Sequence, residues 1–154
     1  MQVNQIMSQP VSTCSVQDNL GRAARTMKVH ECGVLPVVDL QDHVVGIITD
    51  RDICMAVADH DRSPSEITVE EAMTRGVYSC RAEDSTEQAQ TRMRELGIRR
   101  LPVLDHECRP IGLLSVDDLA LHAISSGKQV QKAELRDVAS TLASAAHGQT
   151  RLDF

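Results

Sequence analysis

Few residues of this 154-residue chain are spaced for chemistry, and the most suggestive set occurs twice. The pattern Gly-apolar-apolar-Thr/Ser-x-x-Asp reads Gly46-Ile47-Ile48-Thr49-Asp50-Arg51-Asp52, then Gly112-Leu113-Leu114-Ser115-Val116-Asp117-Asp118. A hydroxyl followed three residues later by an acid is a capping-box variant, closing the first turn of a helix. Glu, the commoner acid at that position, is absent from both, which leaves room for another use of Asp52 and Asp118. Arg51 lies inside the first motif, and Arg99-Arg100 stand upstream of the second. The pair reads either as a solvated strand entrance or as an anion contact. Neighbours on a strand point oppositely, so at most one of the two need face a given site.

Other chemistry finds less support. Six histidines (30, 43, 60, 106, 122 and 147) are scattered. His43 and His60 with Asp59 and Asp61 suggest a loop metal site, but no His-x-x-His spacing accompanies them, so they read as solvated loop residues. Cys32 near His30 and Cys108 near His106 put a thiol and a base on one strand face. No third orienting group or oxyanion hole goes with either pair. Gly-x-Gly phosphate loops are absent. Neither a catalytic residue nor a metal ligand is expected, and the chain does not read as an enzyme.

An internal repeat supplies the elements that must position these residues. Met7 and Met73 are 66 residues apart, and the offset holds without a gap: MSQPVSTC at 7–14 overlies MTRGVYSC at 73–80, Met27 overlies Met93, and Leu35–Asp39 overlies Leu101–Asp105. Each copy predicts strand–helix–strand–strand–helix. Brief first strands fall at Val11–Cys14 and Val77–Cys80. Asn19 and Ser85 then cap a helix, Ser85 forming a capping box with Gln88. Val16, Leu20, Ala23 and Met27 share one helix face, as do Ala82, Thr86, Ala89 and Met93. Two β-rich runs follow, joined by a hairpin-length loop. Pro36 and Pro102 place the start of a strand, or a sheet edge, at their positions. Thr49 or Asp50, and Ser115, cap the second helix, which carries Ile53 and Val57 or Leu119 and Ala123. Thr68 with Glu71 starts a turn leading into Met73. Beyond the repeats, 128–147 shows Leu135, Val138, Leu142 and Ala145 on one face and predicts an amphipathic helix ending at Gly148. The expected divisions are 1–62, 63–127 and a tail at 128–154.

Composition excludes several classes. One Tyr, one Phe and no Trp argue against single-strand nucleic-acid platforms, which stack bases on aromatics. A net charge of −6 argues against a general phosphate-backbone binder. Apolar residues at 42% and charged residues at 25% are those of a globular protein. The longest apolar run, Val44–Ile48, is far short of a membrane span. MQVNQIMSQP is not a signal peptide. Five cysteines without a Cys-x-x-Cys pair read as buried free thiols in a reducing cytoplasm. The basic residues, 13 Arg and 3 Lys, suit phosphate recognition, though a GC-rich genome gives the same bias.

The two motifs, each preceded by LPVxD and a Met-ended helix, are in register in both copies. Over about residues 7–125 the chain resembles a CBS-domain pair, or Bateman module. The resemblance implies an α/β (α+β) fold of two βαββα repeats packed through their sheets, with clefts that bind adenosine-containing ligands. It implies that Asp52 and Asp118 hold ribose hydroxyls and that Thr49 and Ser115 contact ribose or phosphate. A carboxylate offers two acceptors to a vicinal diol, and a helix N-terminus offers N–H groups to a phosphate. Together with the duplicated glycine, the family context tilts the motif from cap towards ligand site. Arg99-Arg100 are similar to the basic pair that contacts phosphates in the γ subunits of AMP-activated kinase. The first repeat has Gly33-Val34 there instead. Arg51 partly substitutes, while its counterpart Asp117 would repel a phosphate. The two sites are therefore expected to differ.

The expected function is that of a regulatory module binding AMP, ADP or ATP, ahead of S-adenosylmethionine and NAD, with no cofactor required. Adenine would have no aromatic partner beyond Tyr78 and Phe154, so an affinity on the order of micromolar is expected. Signalling would run through a homodimer or an unidentified protein partner, since no catalytic or DNA-binding domain accompanies the repeats. Energy sensing in the cytoplasm, without nucleic acid or membrane, is the expected setting. The alternative is a ligand-free oligomerisation module acting through its helix faces.

Overall fold

The computed structural model describes residues 1–125 and 132–148. Its first repeat runs β1 (Cys14–Ser15), α1 (Leu20–Val29), β2 (Val34–Val38), β3 (Val44–Thr49) and α2 (Asp50–His60). A short helix α3 (Val69–Ala72) and strand β4 (Thr74–Arg75) follow. The second runs β5 (Cys80–Arg81), α4 (Thr86–Leu96), β6 (Arg100–Leu104), β7 (Pro110–Ser115) and α5 (Val116–Ser125), followed by α6 (Lys132–Gly148). Both repeats are βαββα, as the repeat predicts. The first strands sit at the end of their predicted spans. All described helices are too short or too polar to cross a membrane.

The predicted caps form. Asn19 accepts from the Arg22 amide, and Ser85 and Gln88 close a reciprocal box. The 66-residue offset reappears in the cores, where Leu20, Ala23, Met27, Leu35, Val37 and Ile48 are buried in one and Thr86, Ala89, Met93, Leu101, Val103 and Leu114 in the other. Even the turns repeat: Asp42 and Cys108 are both left-handed at φ 63° and 62°. Gly97 ends α4 in the left-handed region, and at the matching position Glu31 takes φ 50° despite its side chain.

The spatial units do not follow the order of the chain. Among the described residues, one unit comprises 11–77 with 106–110, and the other 1–10 and 78–105 with 111–125 and 132–148. In the first, Ile67, Val69 and Met73 join the core of the repeat they follow, and β4 extends the sheet to the order β1-β2-β3-β4. The second has the sheet β5-β6-β7, and here the N-terminal segment plays the corresponding part. Val3 is fully buried in this core, and Ser8 bridges to Leu113. Its backbone is tied along its length, with the Thr86 amide donating to Met1 O at 2.9 Å and the Val3 amide to Asp84 O at 3.0 Å.

Pro36 and Pro102 neither begin strands nor lie on edges, contrary to expectation: β2 and β6 are interior. The reason is the shortness of the first strands. Val38 O accepts from the Val16 amide, so alternation turns the Pro36 nitrogen to the same side, where β1 reaches only Val37 and Val38. No ladder bond is lost there.

Helix α6 packs on α4 and α5 of its own unit. Its buried stripe differs from the predicted face, since Val138, Thr141 and Ala145 are buried while Leu142 is 37% exposed. Thr141 tolerates burial because its hydroxyl donates to Asp137 O at 2.8 Å. The Leu135 side chain, residues 128–131 of the predicted helix and the tail from 149 lie outside the described residues.

Candidate functional site

In the first repeat, β3 delivers Thr49 to the N-terminus of α2, and the capping box closes with Asp rather than Glu. Asp52 Oδ2 accepts from both the Thr49 amide and the Thr49 hydroxyl at 2.8 Å, and the Asp52 amide donates to Thr49 Oγ1 at 3.1 Å. The second repeat has the same arrangement. Asp118 Oδ2 accepts from the Ser115 amide at 2.7 Å and hydroxyl at 2.6 Å, and the Asp118 amide donates to Ser115 Oγ at 3.1 Å. Capping therefore uses one oxygen of each carboxylate and fixes where the other sits. Cap and ligand contact are compatible for a group with two acceptor oxygens.

The second oxygens differ. Among the described residues Asp52 Oδ1 has no protein partner, whereas Asp118 Oδ1 accepts from the Ser8 hydroxyl at 3.1 Å. Sequence reasoning missed Ser8. The signal was there, because Ser8 overlies Thr74 at the same offset and both follow a repeated Met.

The helix start offers a phosphate less than expected. The Asp50 amide donates to Gly33 O at 3.1 Å, the Arg51 amide to Asp50 Oδ1 at 2.8 Å and the Asp52 amide to Thr49 Oγ1, so the first three amides of α2 are engaged. In α5 the Val116 amide donates to Arg99 O at 3.0 Å, and only the Asp117 amide has no partner among the described residues. Any anion would depend mainly on side-chain cations. Arg51 is exposed and without an ion-pair partner among the described residues. Arg99 sits 3.9 Å from Asp117, a solvated pair of little energetic weight. Arg100, half-buried, opens β6. Thr49, Arg51 and Asp52 are thus one turn in one unit, and Ser115, Asp118, Arg99 and Arg100 belong to the other.

The duplicated glycine has a packing explanation. A Cβ on Gly46 would lie 2.7 Å from Met73 Sδ and 2.9 Å from Thr74 O, and one on Gly112 would lie 2.6 Å from Met7 Sδ. The bare Cα admits the repeated methionine of the covering segment, so the glycine lends no weight to the ligand reading.

All five cysteines are free, but the expectation that they are buried holds only in part: Cys54 and Cys108 are exposed and Cys32 is half-buried. Cys14 and Cys80 occupy equivalent core positions, where burial, aided by the nearby Asp18 or Asp84, pushes each thiol up to about 12. Such thiols are unreactive at neutral pH. Among the described residues no group of three His, Cys, Asp or Glu side chains could hold a metal. A groove of about 270 Å³ along α4 is lined by Cys80, Asp84, Gln88, Ala89 and Arg92, none of which was expected at the site. Tyr78 is 58% exposed, and Phe154 lies outside the described residues.

Comparison with known proteins agrees with this geometry. The CBS domain family matches twice, at residues 3–59 and 69–124. The CBS domain-containing protein YhcV of Bacillus subtilis is 33% identical over 124 residues, 80% of this chain and 86% of its own. Inosine-5'-monophosphate dehydrogenase of Methanocaldococcus jannaschii is 33% identical over 116 residues, but this chain spans only 22% of that enzyme. Among solved structures, the CBS domain pair of protein MJ0100, crystallised with 5'-methylthioadenosine and S-adenosyl-L-methionine, has a TM-score of 0.73 at 29% identity, covering 84% of this chain and 98% of that one. Two family matches in register with two capped Thr/Ser-x-x-Asp motifs on two βαββα repeats make the chain a member of the CBS-domain family, as a tandem pair.

Proposed function

We propose that the chain is a regulatory, non-enzymatic module that binds an adenosine-containing ligand through its Thr/Ser-x-x-Asp motifs. The ligand class is an adenine nucleotide: AMP, ADP or ATP. The observation that carries this reading is Asp52, a carboxylate anchored by Thr49 through Oδ2 and with no partner at Oδ1 among the described residues. An oriented acceptor that is already desolvated on one side suits a ribose hydroxyl, and a hydrogen bond to a charged group is among the stronger kinds. Support comes also from the MJ0100 domain pair, whose structure contains two adenosyl ligands. Because the first-turn amides of α2 are engaged, Arg51 supplies the positive charge for phosphates at the first motif, and Arg99 and Arg100 supply it at the second. That requirement separates a nucleotide from S-adenosylmethionine or methylthioadenosine, which share its ribose but carry no phosphate. The response passes to a homodimer or a protein partner in the cytoplasm.

Thermal-shift and calorimetric titration with AMP, ADP, ATP, NAD and S-adenosylmethionine tests this. A ligand at a hundred times its Kd should stabilise the fold by about 2.7 kcal/mol. Failure of all five to raise the Tm would sink the reading.

The second reading, association without a ligand, is favoured by exposed apolar helix positions. Met55 on α2 and Leu121 on α5 hold the same repeat position and are 51% and 65% exposed, and Ile124 one turn further on is 65% exposed. A second chain of the same sequence is the occupant we infer, because an isologous pair buries identical patches on both partners. Leu121→Glu should then convert a dimer into a monomer in sedimentation or light scattering, since it places an unpaired charge in the contact. A variant that sediments like wild type would show that association does not run through α5.

A further inference from the structure

We propose that Ser8 is an internal competitor for the ligand at the second repeat, so that the two sites fill in order, the Asp52 site first. The inference rests on the diol reading of the motif given above. In both repeats Oδ2 of the motif carboxylate is occupied by two bonds from the capping hydroxyl residue, which leaves Oδ1 as the acceptor available to a ligand. At the first repeat that oxygen has no partner among the described residues. At the second, Ser8 Oγ donates to it at 3.1 Å.

The difference follows from how each motif is covered. Thr74 of β4 pairs with Ile47 beside the first motif, and Ser8 bridges to Leu113 beside the second. The two covering residues are equivalent by the 66-residue offset and both carry a hydroxyl. Among the described residues, however, Thr74 makes no hydrogen bond to Asp52. Ser8 is fixed by two backbone bonds, its amide donating to Leu113 O at 2.9 Å and accepting through its carbonyl from the Leu113 amide at 3.0 Å. The hydroxyl is therefore presented to Asp118 by a segment that stays in place when the side chain rotates away. A ribose hydroxyl reaching Asp118 must displace it. A hydrogen bond to a charged acceptor at an exposed position corresponds to a handicap of about fivefold in affinity.

Ser8→Ala removes the competitor and keeps both backbone bonds, so the variant retains the anchoring of residues 1–10. The experiment is calorimetric titration with AMP and with S-adenosylmethionine in an Asp52→Asn background, where the first site is disabled. Adding Ser8→Ala to that background should tighten binding about fivefold. Ser8→Thr, which keeps a hydroxyl, should not. In the mirror background, Asp118→Asn, Thr74→Ala should leave affinity unchanged. Equal or weaker binding after Ser8→Ala overturns the proposal. So does binding to wild type that vanishes in both Asp52→Asn and Asp52→Asn/Ser8→Ala, since the second repeat then holds no site, while the wider ligand reading stands. If neither probe binds wild type or any variant, the ligand reading falls and the competitor role falls with it.

Discussion

Asp52→Asn should lower affinity for an adenosine ligand at the first repeat by about 10- to 100-fold while leaving the fold nearly as stable as wild type. The separation comes from the two oxygens of one carboxylate. The cap needs a single acceptor, and an asparagine side chain can supply it to the Thr49 amide and hydroxyl, which now meet Asp52 Oδ2 at 2.8 Å. The ligand needs the other oxygen, which the substitution replaces with an amide that donates and carries no charge. Asp52→Ala should do both kinds of damage, losing the ligand contact and about 1 kcal/mol of cap energy. Comparing the two by thermal denaturation and by calorimetry assigns each oxygen its role. If Asp52→Asn binds like wild type while Asp52→Ala only lowers the Tm, the motif is a helix cap and nothing more. Asp118→Asn should change the observed affinity far less, because Ser8 already holds Asp118 Oδ1.

This inequality marks the limit of what the amino-acid order reveals. The repeat period located both motifs, and the capping pattern placed them at helix starts. Local rules reach that far because a cap involves residues three apart. They do not reach Ser8, which lies 110 residues from Asp118 in the chain. A repeat says that two units are alike, but not which segment covers which sheet. Here each covering segment precedes one repeat and packs on the other: residues 1–10 stand before the first and belong to the unit of the second, while 67–75 precede the second and complete the sheet of the first. Pro36 misled for a related reason. A proline is excluded from an interior strand only where a neighbour strand runs past its nitrogen, and the length of β1 is a tertiary fact. Similarly, periodicity put Leu142 on the apolar face of α6 and did not pick out Thr141, yet a threonine bonded back to its own helix is apolar enough to bury. The basic residues were visible, but not that the Arg51 amide would be taken by Asp50 or that Arg99 would lean towards Asp117.

Gly46→Ala should destabilise the fold by about 1–3 kcal/mol, read as a fall in denaturant midpoint at unchanged m-value. Alanine in place of glycine ordinarily gains about 0.4–1 kcal/mol by restricting the unfolded chain, provided the site accepts a Cβ. This site does not. The added carbon would fall 2.7 Å from Met73 Sδ and 2.9 Å from Thr74 O. A methionine side chain can move aside, but Thr74 O belongs to β4, whose pairing with β3 completes the sheet. Gly112→Ala should cost less. There the nearest atom is again a methionine sulfur, Met7 Sδ at 2.6 Å, while the backbone oxygen, Ser8 O, stands off at 3.2 Å. Met7 is also less buried than Met73 and freer to shift. The ligand reading adds a second requirement. If Gly46 serves packing, the folded fraction of Gly46→Ala must bind an adenosine ligand about as well as wild type, because Asp52 and Thr49 lie beyond the clash. A variant that kept its stability and lost its ligand would reverse the assignment, placing the glycine against the ligand and the methionine contact second.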